Sequence, residues 1–125
     1  MEYQVTLSTN ARYVKVTVYR PMNSELGKRL GADAARFAGE NNVNRYLFDV
    51  RNAPNEQCVS DNYEFANKEI SGFGFPKESR SAFLIREDDN SHDFIEAAFQ
   101  EAGYDVKIFV DESSAVSWLE KEYVR

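Results

Sequence analysis

Residues 46–52 read YLFDVRN. Tyr46, Leu47 and Phe48 are consecutive and large, and Val50 follows after one charged residue. A strand sends successive side chains to opposite faces, so this one is apolar on both. That is the pattern of a central strand in a parallel sheet, covered by helices on each side. A second run of the same kind, Ala82-Phe83-Leu84-Ile85, predicts another buried strand, and Val106, Ile108, Phe109 and Val110 predict a third.

Parallel strands need crossovers, and the intervening stretches carry helical periodicity. Upstream, Leu26, Leu30, Ala34, Phe37 and Ala38 recur at three and four residues. Asn23 or Ser24 can cap this helix and Gly39 ends it. Tyr63, Ala66, Ile70 and Phe73 predict a second helix, broken by Gly72, Gly74 and Pro76. Phe94, Ile95, Ala98, Phe99 and Ala102 predict a third, capped by Asp89, Asn90 or Ser91 and closed by Gly103. Ala115, Trp118 and Leu119 predict a fourth after Asp111 or Ser113. Two alternating strands open the chain, Tyr3-Val5-Leu7 and Val14-Val16-Val18. The short polar Ser8-Thr9-Asn10 link makes them an antiparallel hairpin, and Pro21 follows the second. The expected fold is α/β: a mixed five-stranded sheet with an N-terminal antiparallel hairpin, four helices and right-handed crossovers.

The chain has 125 residues, which suits a single domain over 1–125. Apolar residues make up 42% of it, enough for one core, and charged residues 29%, enough to solvate the surface. The net charge of −6 and the lack of a Lys/Arg cluster argue against nucleic-acid binding. One Cys and one His exclude an internal disulfide, a Cys-rich zinc site and a multi-His centre. No metal and no cofactor is expected. No apolar run approaches the roughly 20 residues of a membrane span. The opening MEYQVTLSTN has the form of neither a signal nor a transit peptide. A cytoplasmic setting is the expectation.

The element order, the central LFDVRN (47–52) and the closing AGYDVKIFVDESSAVSWL (102–119) carry a resemblance to a known family. The chain resembles the STAS domain, and within it the SpoIIAA-like group of small bacterial anti-sigma-factor-antagonist-like proteins. The resemblance covers essentially the whole chain. It implies a regulatory, non-enzymatic protein that works by protein–protein interaction. In partner-switching members a Ser at the start of the helix after the third strand is phosphorylated, and the phosphate blocks docking. Ser60 falls near that place, preceded by Val59 and followed by Asp61. It is a candidate phosphoacceptor or a plain helix cap. A second implied role is a small-molecule or lipid carrier, since the family shades into the SEC14-like lipid binders.

Parallel strands bring their C-terminal ends to one rim. Asp49, Arg51 and Asn52 follow the third strand, Arg86, Glu87 and Asp88 the fourth, and Asp111 the fifth. Crevices outside strand C-termini are where open α/β sheets bind ligands. Helix N-termini and two arginines there suit a small anion, and solvated ion pairs and helix caps account for the same residues. Asp49, Arg51, Asn52 and Arg86 are the candidate binding rim. Phe73 and Phe75, in the Gly/Pro stretch SGFGFP, are a candidate surface for a partner or a homodimer, or else cover the end of the second helix. Cys58 lies between Glu56 and Asp61, which oppose a reactive thiolate. His92 has no nucleophile near it in sequence, so no catalytic residue is assigned. A receiver-domain reading of Asp49 fails, because the acidic pair after the first strand and the Lys after the fifth are missing.

Overall fold

The computed structural model describes residues 2–21, 24–53, 79–88, 96, 99–100, 103 and 105–121. The strands are β1 (Tyr3–Leu7), β2 (Val14–Val18), β3 (Arg45–Asp49), β4 (Arg80–Leu84) and β5 (Asp105–Phe109). The helices delimited among these residues are α1 (Ser24–Glu40) and α2 (Glu112–Glu120). The strands form one mixed sheet in the order β1-β2-β3-β4-β5. β1 is antiparallel to β2, and every later pairing is parallel.

The expected four-helix complement is corrected to these two helices. The stretch read as the second helix lies outside the described residues. Glu96, Phe99 and Gln100 have helical backbone where the third was expected, but most of that stretch also lies outside.

Register assigns the two faces. Val16, Phe48, Phe83 and Ile108 are cross-strand neighbours, and so are Lys15, Leu47, Ala82 and Lys107 one residue earlier. The first row belongs to the larger core, where Leu26, Leu30, Ala34 and Ala38 of α1 meet Val14, Val16, Val18, Tyr46 and Phe48. Its rings follow the sheet: Phe48 lies 5.0 Å from Phe83, which lies 6.1 Å from Phe99. The second face carries a smaller core of Leu47, Ala82 and Leu84 under Ala115 and Leu119 of α2. The double apolarity of residues 46–48 therefore has a cause: each face has its own helix.

α2 is fastened at both ends. Asp111 is its N-cap and accepts from the Ser114 backbone N–H and hydroxyl, each at 2.9 Å. Those hydrogen bonds hold the Asp111 carboxyl below the usual carboxylate range. At the other end Arg80 of β4 donates to the Trp118 carbonyl at 3.0 Å and the Lys121 carbonyl at 3.1 Å. Its guanidinium also lies over the Trp118 ring, 4.8 Å from the centroid. Donors and positive charge at a helix C-terminus satisfy orphan carbonyls and complement the helix dipole.

Two backbone details differ from expectation. α1 passes through Gly39 and ends at Glu40; Asn42, at φ 57°, makes the left-handed turn, with Val43 N–H bonded to the Ala38 carbonyl at 2.9 Å. Asn is the commonest non-Gly residue there because its short side chain tolerates that conformation. The hairpin link is longer than Ser8-Thr9-Asn10. It runs to Tyr13, with Ala11 at φ 57° and the Ser8 hydroxyl accepting from the backbone of Arg12 and Tyr13.

Candidate functional site

The C-terminal ends of β3, β4 and β5 open onto a cleft of about 710 Å³. Arg51, Ile85, Arg86, Glu87, Asp88 and Val110 line it. β4 and β5 each end one residue earlier than the apolar pattern suggests, so Ile85 and Val110 lie beyond the strands, on the rim. Ile85 is still tied to the sheet through its N–H to the Phe109 carbonyl, at 2.9 Å. Val110 is 56% exposed.

Asp49 is not an open rim residue. It shares the α2 face with Leu84 and is buried. Burial pushes its carboxyl up, but Arg51 more than reverses this. The guanidinium donates from Nε at 2.9 Å and Nη2 at 2.7 Å, and the Arg51 backbone N–H adds a third bond at 3.2 Å. With the charge of Lys15 nearby, the carboxyl ends below its ordinary value. The same hydrogen bonds, together with the charges of Asp49 and Glu112, raise Arg51.

The pairing extends further. Arg51 Nη2 reaches Glu112 Oε1 at 3.4 Å, and Lys15 Nζ reaches Glu112 Oε2 at 3.2 Å. Asp49, Arg51, Glu112 and Lys15 thus form a chain of alternating charge from the end of β3, past the first turn of α2, to β2. It sums to zero, so Arg51 lines the cleft with its charge balanced. Arg86 differs: it is exposed, and its Nε lies 3.7 Å from the exposed Asp88 carboxylate. Such a contact is largely screened by water.

Among the predicted rim residues, the cleft brings Arg51 and Arg86 together, while Asn52 is exposed in the turn after β3 and is not among its lining residues. Ser60, Phe73 and Phe75, with Cys58 and His92, lie outside the described residues. Sequence reasoning missed Lys15, Glu112 and Val110. Lys15 reads as the polar alternate of a half-buried strand, and only the β2–β3 register sets it beside Leu47 and one step from Asp49. Val110 carries no sequence signal, because it continues an apolar strand run. Among the described residues no three His, Cys, Asp or Glu side chains are grouped to hold a metal ion. No helix among them is long and apolar enough to cross a membrane. No protein-family model matches the chain, and no curated protein matches it in sequence.

Proposed function

We propose that this chain is a non-enzymatic, cytoplasmic regulatory protein of the SpoIIAA-like STAS type, and that it binds a protein partner at the rim beyond β3, β4 and β5. The observation that carries this reading is the mixed character of that rim. Val110 stands bare at the β5 end of the rim, and the exposed Arg86, Glu87 and Asp88 line the same cleft. An apolar contact ringed by charged groups is the anatomy of a protein–protein interface. Beneath it, Asp49 and Arg51 satisfy each other, an arrangement that stabilises a rigid platform.

The test is capture from native lysate with wild type, Val110→Asp and Arg86→Glu, followed by mass spectrometry of proteins and small molecules. The expected result is a protein held by wild type and lost from both variants, with circular dichroism unchanged. The same proteins held by all three would refute the rim as the binding surface.

The carrier reading has one observation in its favour. A cleft of about 710 Å³ is within the size range of small-molecule sites. Titration with phosphate or small carboxylates, followed by the amide signals of Arg51, Arg86 and Glu87, tests it. Silent amides at millimolar ligand would exclude a small anion there.

A further inference from the structure

The two lateral edges of the sheet are finished differently. β5 is the edge strand on one side, and Phe109 turns its carbonyl inwards to Ile85. Backbone groups alternate in direction along a strand, so Val106 and Ile108 turn theirs outwards. Both are met by side chains. The Val106 carbonyl accepts from Gln100 Nε2 at 2.8 Å, and the Ile108 N–H donates to Glu96 Oε2 at 2.8 Å. β5 also exposes Asp105 and Lys107, charges of the kind that guard an edge.

β1 is the opposite edge. Tyr19 N–H donates to the Glu2 carbonyl and Ser8 N–H to the Tyr13 carbonyl, each at 2.9 Å. Both pairs fall in the register that sets Gln4 against Thr17 and Thr6 against Lys15. The even-numbered residues of β1 therefore bond to β2. Tyr3, Val5 and Leu7 turn their N–H and carbonyl groups away from it. Among the described residues none of those outward groups has a partner. The strand reads YQVTL, with no charge, proline or glycine. None of the usual guards against edge pairing is present within it.

We propose that β1 is a homodimerisation edge: two copies of this chain pair antiparallel through Tyr3, Val5 and Leu7 and join their sheets into one of ten strands. Antiparallel self-pairing is isologous, so each outward N–H of one strand meets an outward carbonyl of the other. Tyr3, Val5 and Leu7 all pack towards the α1 face. Residues of that odd set oppose one another across the junction, giving aromatic–aliphatic and β-branched pairs.

α1 supplies the second layer of the interface. It rests on β1 and β2, and Asp33 accepts a hydrogen bond from the Tyr3 hydroxyl. With strands about 4.8 Å apart, helices so placed in two copies lie about 10 Å apart, the spacing of packed helices. Two five-residue edges alone bury too little for a stable dimer, which needs about 800 Å² from each partner. The remainder would have to come from the adjoining flank of α1, which lies over β1 and β2. Within one chain Arg29 pairs with Glu2 and Arg36 with Asp33; the order Arg29, Asp33, Arg36, Glu40, one turn apart, also sets Arg29 against Glu40 and Asp33 against Arg36 in a copy running antiparallel.

The experiment combines sedimentation with residue-resolved hydrogen exchange across protein concentration. The expected mass is double the 14.4 kDa monomer. The amides of Tyr3, Val5 and Leu7 become protected as the dimer forms, while Gln4 and Thr6 are protected at every concentration. Val5→Pro removes an outward N–H and leaves the β2 ladder intact, and Gln4→Lys adds a guard charge on an exposed position. Each is expected to return the monomer, and the β2 amides report that the hairpin still folds. Three results would each overturn the proposal: a wild-type monomer up to millimolar concentration, a dimer whose odd β1 amides exchange freely, or a dimer that folded Gln4→Lys leaves intact. The rim variants Val110→Asp and Arg86→Glu leave this dimer unchanged, so the two interfaces are separable.

Discussion

Replacing Arg51 with Ala leaves the Asp49 carboxylate buried without its bidentate partner. The side chain of Asp49 is 8% exposed, and the two lost contacts are 2.9 and 2.7 Å. Breaking a fully buried pair costs about 3–5 kcal/mol. Arg51 is itself 40% exposed, so water enters where the guanidinium was, and an exposed pair contributes only about 0–1 kcal/mol. The backbone N–H of residue 51 still donates to Asp49. The expected cost is therefore about 2 kcal/mol at pH 7, or a fall in Tm of about 8 °C for a chain of this size. The pH dependence identifies the cause. In wild type the folded carboxyl titrates below its unfolded value of about 3.9. Its contribution is complete above that pH and is lost as pH falls through the folded value. In the variant, burial without the guanidinium raises the carboxyl, so protonation relieves the penalty. The stability gap between the two proteins is then widest near pH 7, narrows as pH falls through the variant's raised value, and closes below the lowered wild-type value. Urea denaturation from pH 7 to pH 3.5 measures it. A cost below about 0.5 kcal/mol at pH 7 would refute this account of the pair, as would a gap that is constant or widens towards acid.

Three further perturbations test the packing that positions the rim. Gly39 is helical and a Cβ there meets no atom within 4 Å, so Gly39→Ala is expected to stabilise by about 0.5–1 kcal/mol, read as a higher urea midpoint. Ala11 sits at φ 57°, and Ala11→Gly is expected to stabilise by about 1 kcal/mol in thermal melts, with the hairpin register unchanged by NMR. Leu119 is fully buried between α2 and the sheet. Leu119→Ala is expected to cost about 2–5 kcal/mol and to shift the emission of Trp118, the single tryptophan, towards that of a solvated indole.

The strands were legible because alternation and double-sided apolarity are local signals. Residues 46–48 announce a strand covered on both faces, and the cores around Phe48 and Leu47 supply the two covers. The helices divide differently: α1 and α2 stand where periodicity set them, while the stretches read as the second and third lie wholly or mostly outside the described residues. The end of α1 shows the limit of a local signal. Gly39 has the composition of a stop, yet the chain turns at Asn42, where Val43 can reach back to Ala38. At the rim, proximity followed from topology: residues after parallel strands meet, and Arg51 and Arg86 share a cleft. Burial did not follow. Asp49 reads as an exposed charge in sequence, and only the packing of α2 over Leu47 and Leu84 makes it an interior one. Lys15 and Glu112 lie 97 residues apart, and no spacing rule connects them.

The strand order has a consequence for how the chain reaches its native state. Among the described residues no strand is inserted between two earlier ones; each joins the sheet beside the strand that precedes it in sequence. A nascent chain leaving the ribosome can therefore zip its sheet in the order of synthesis, closing one crossover loop at a time. The β1–β2 hairpin is the template, and each later parallel strand finds a completed edge waiting. Among the described elements α2 comes last, when all three strands it covers are in place. Until α2 packs, Leu47, Ala82 and Leu84 lack the cover that Ala115 and Leu119 give them, so this strip depends on the most C-terminal of the described helices.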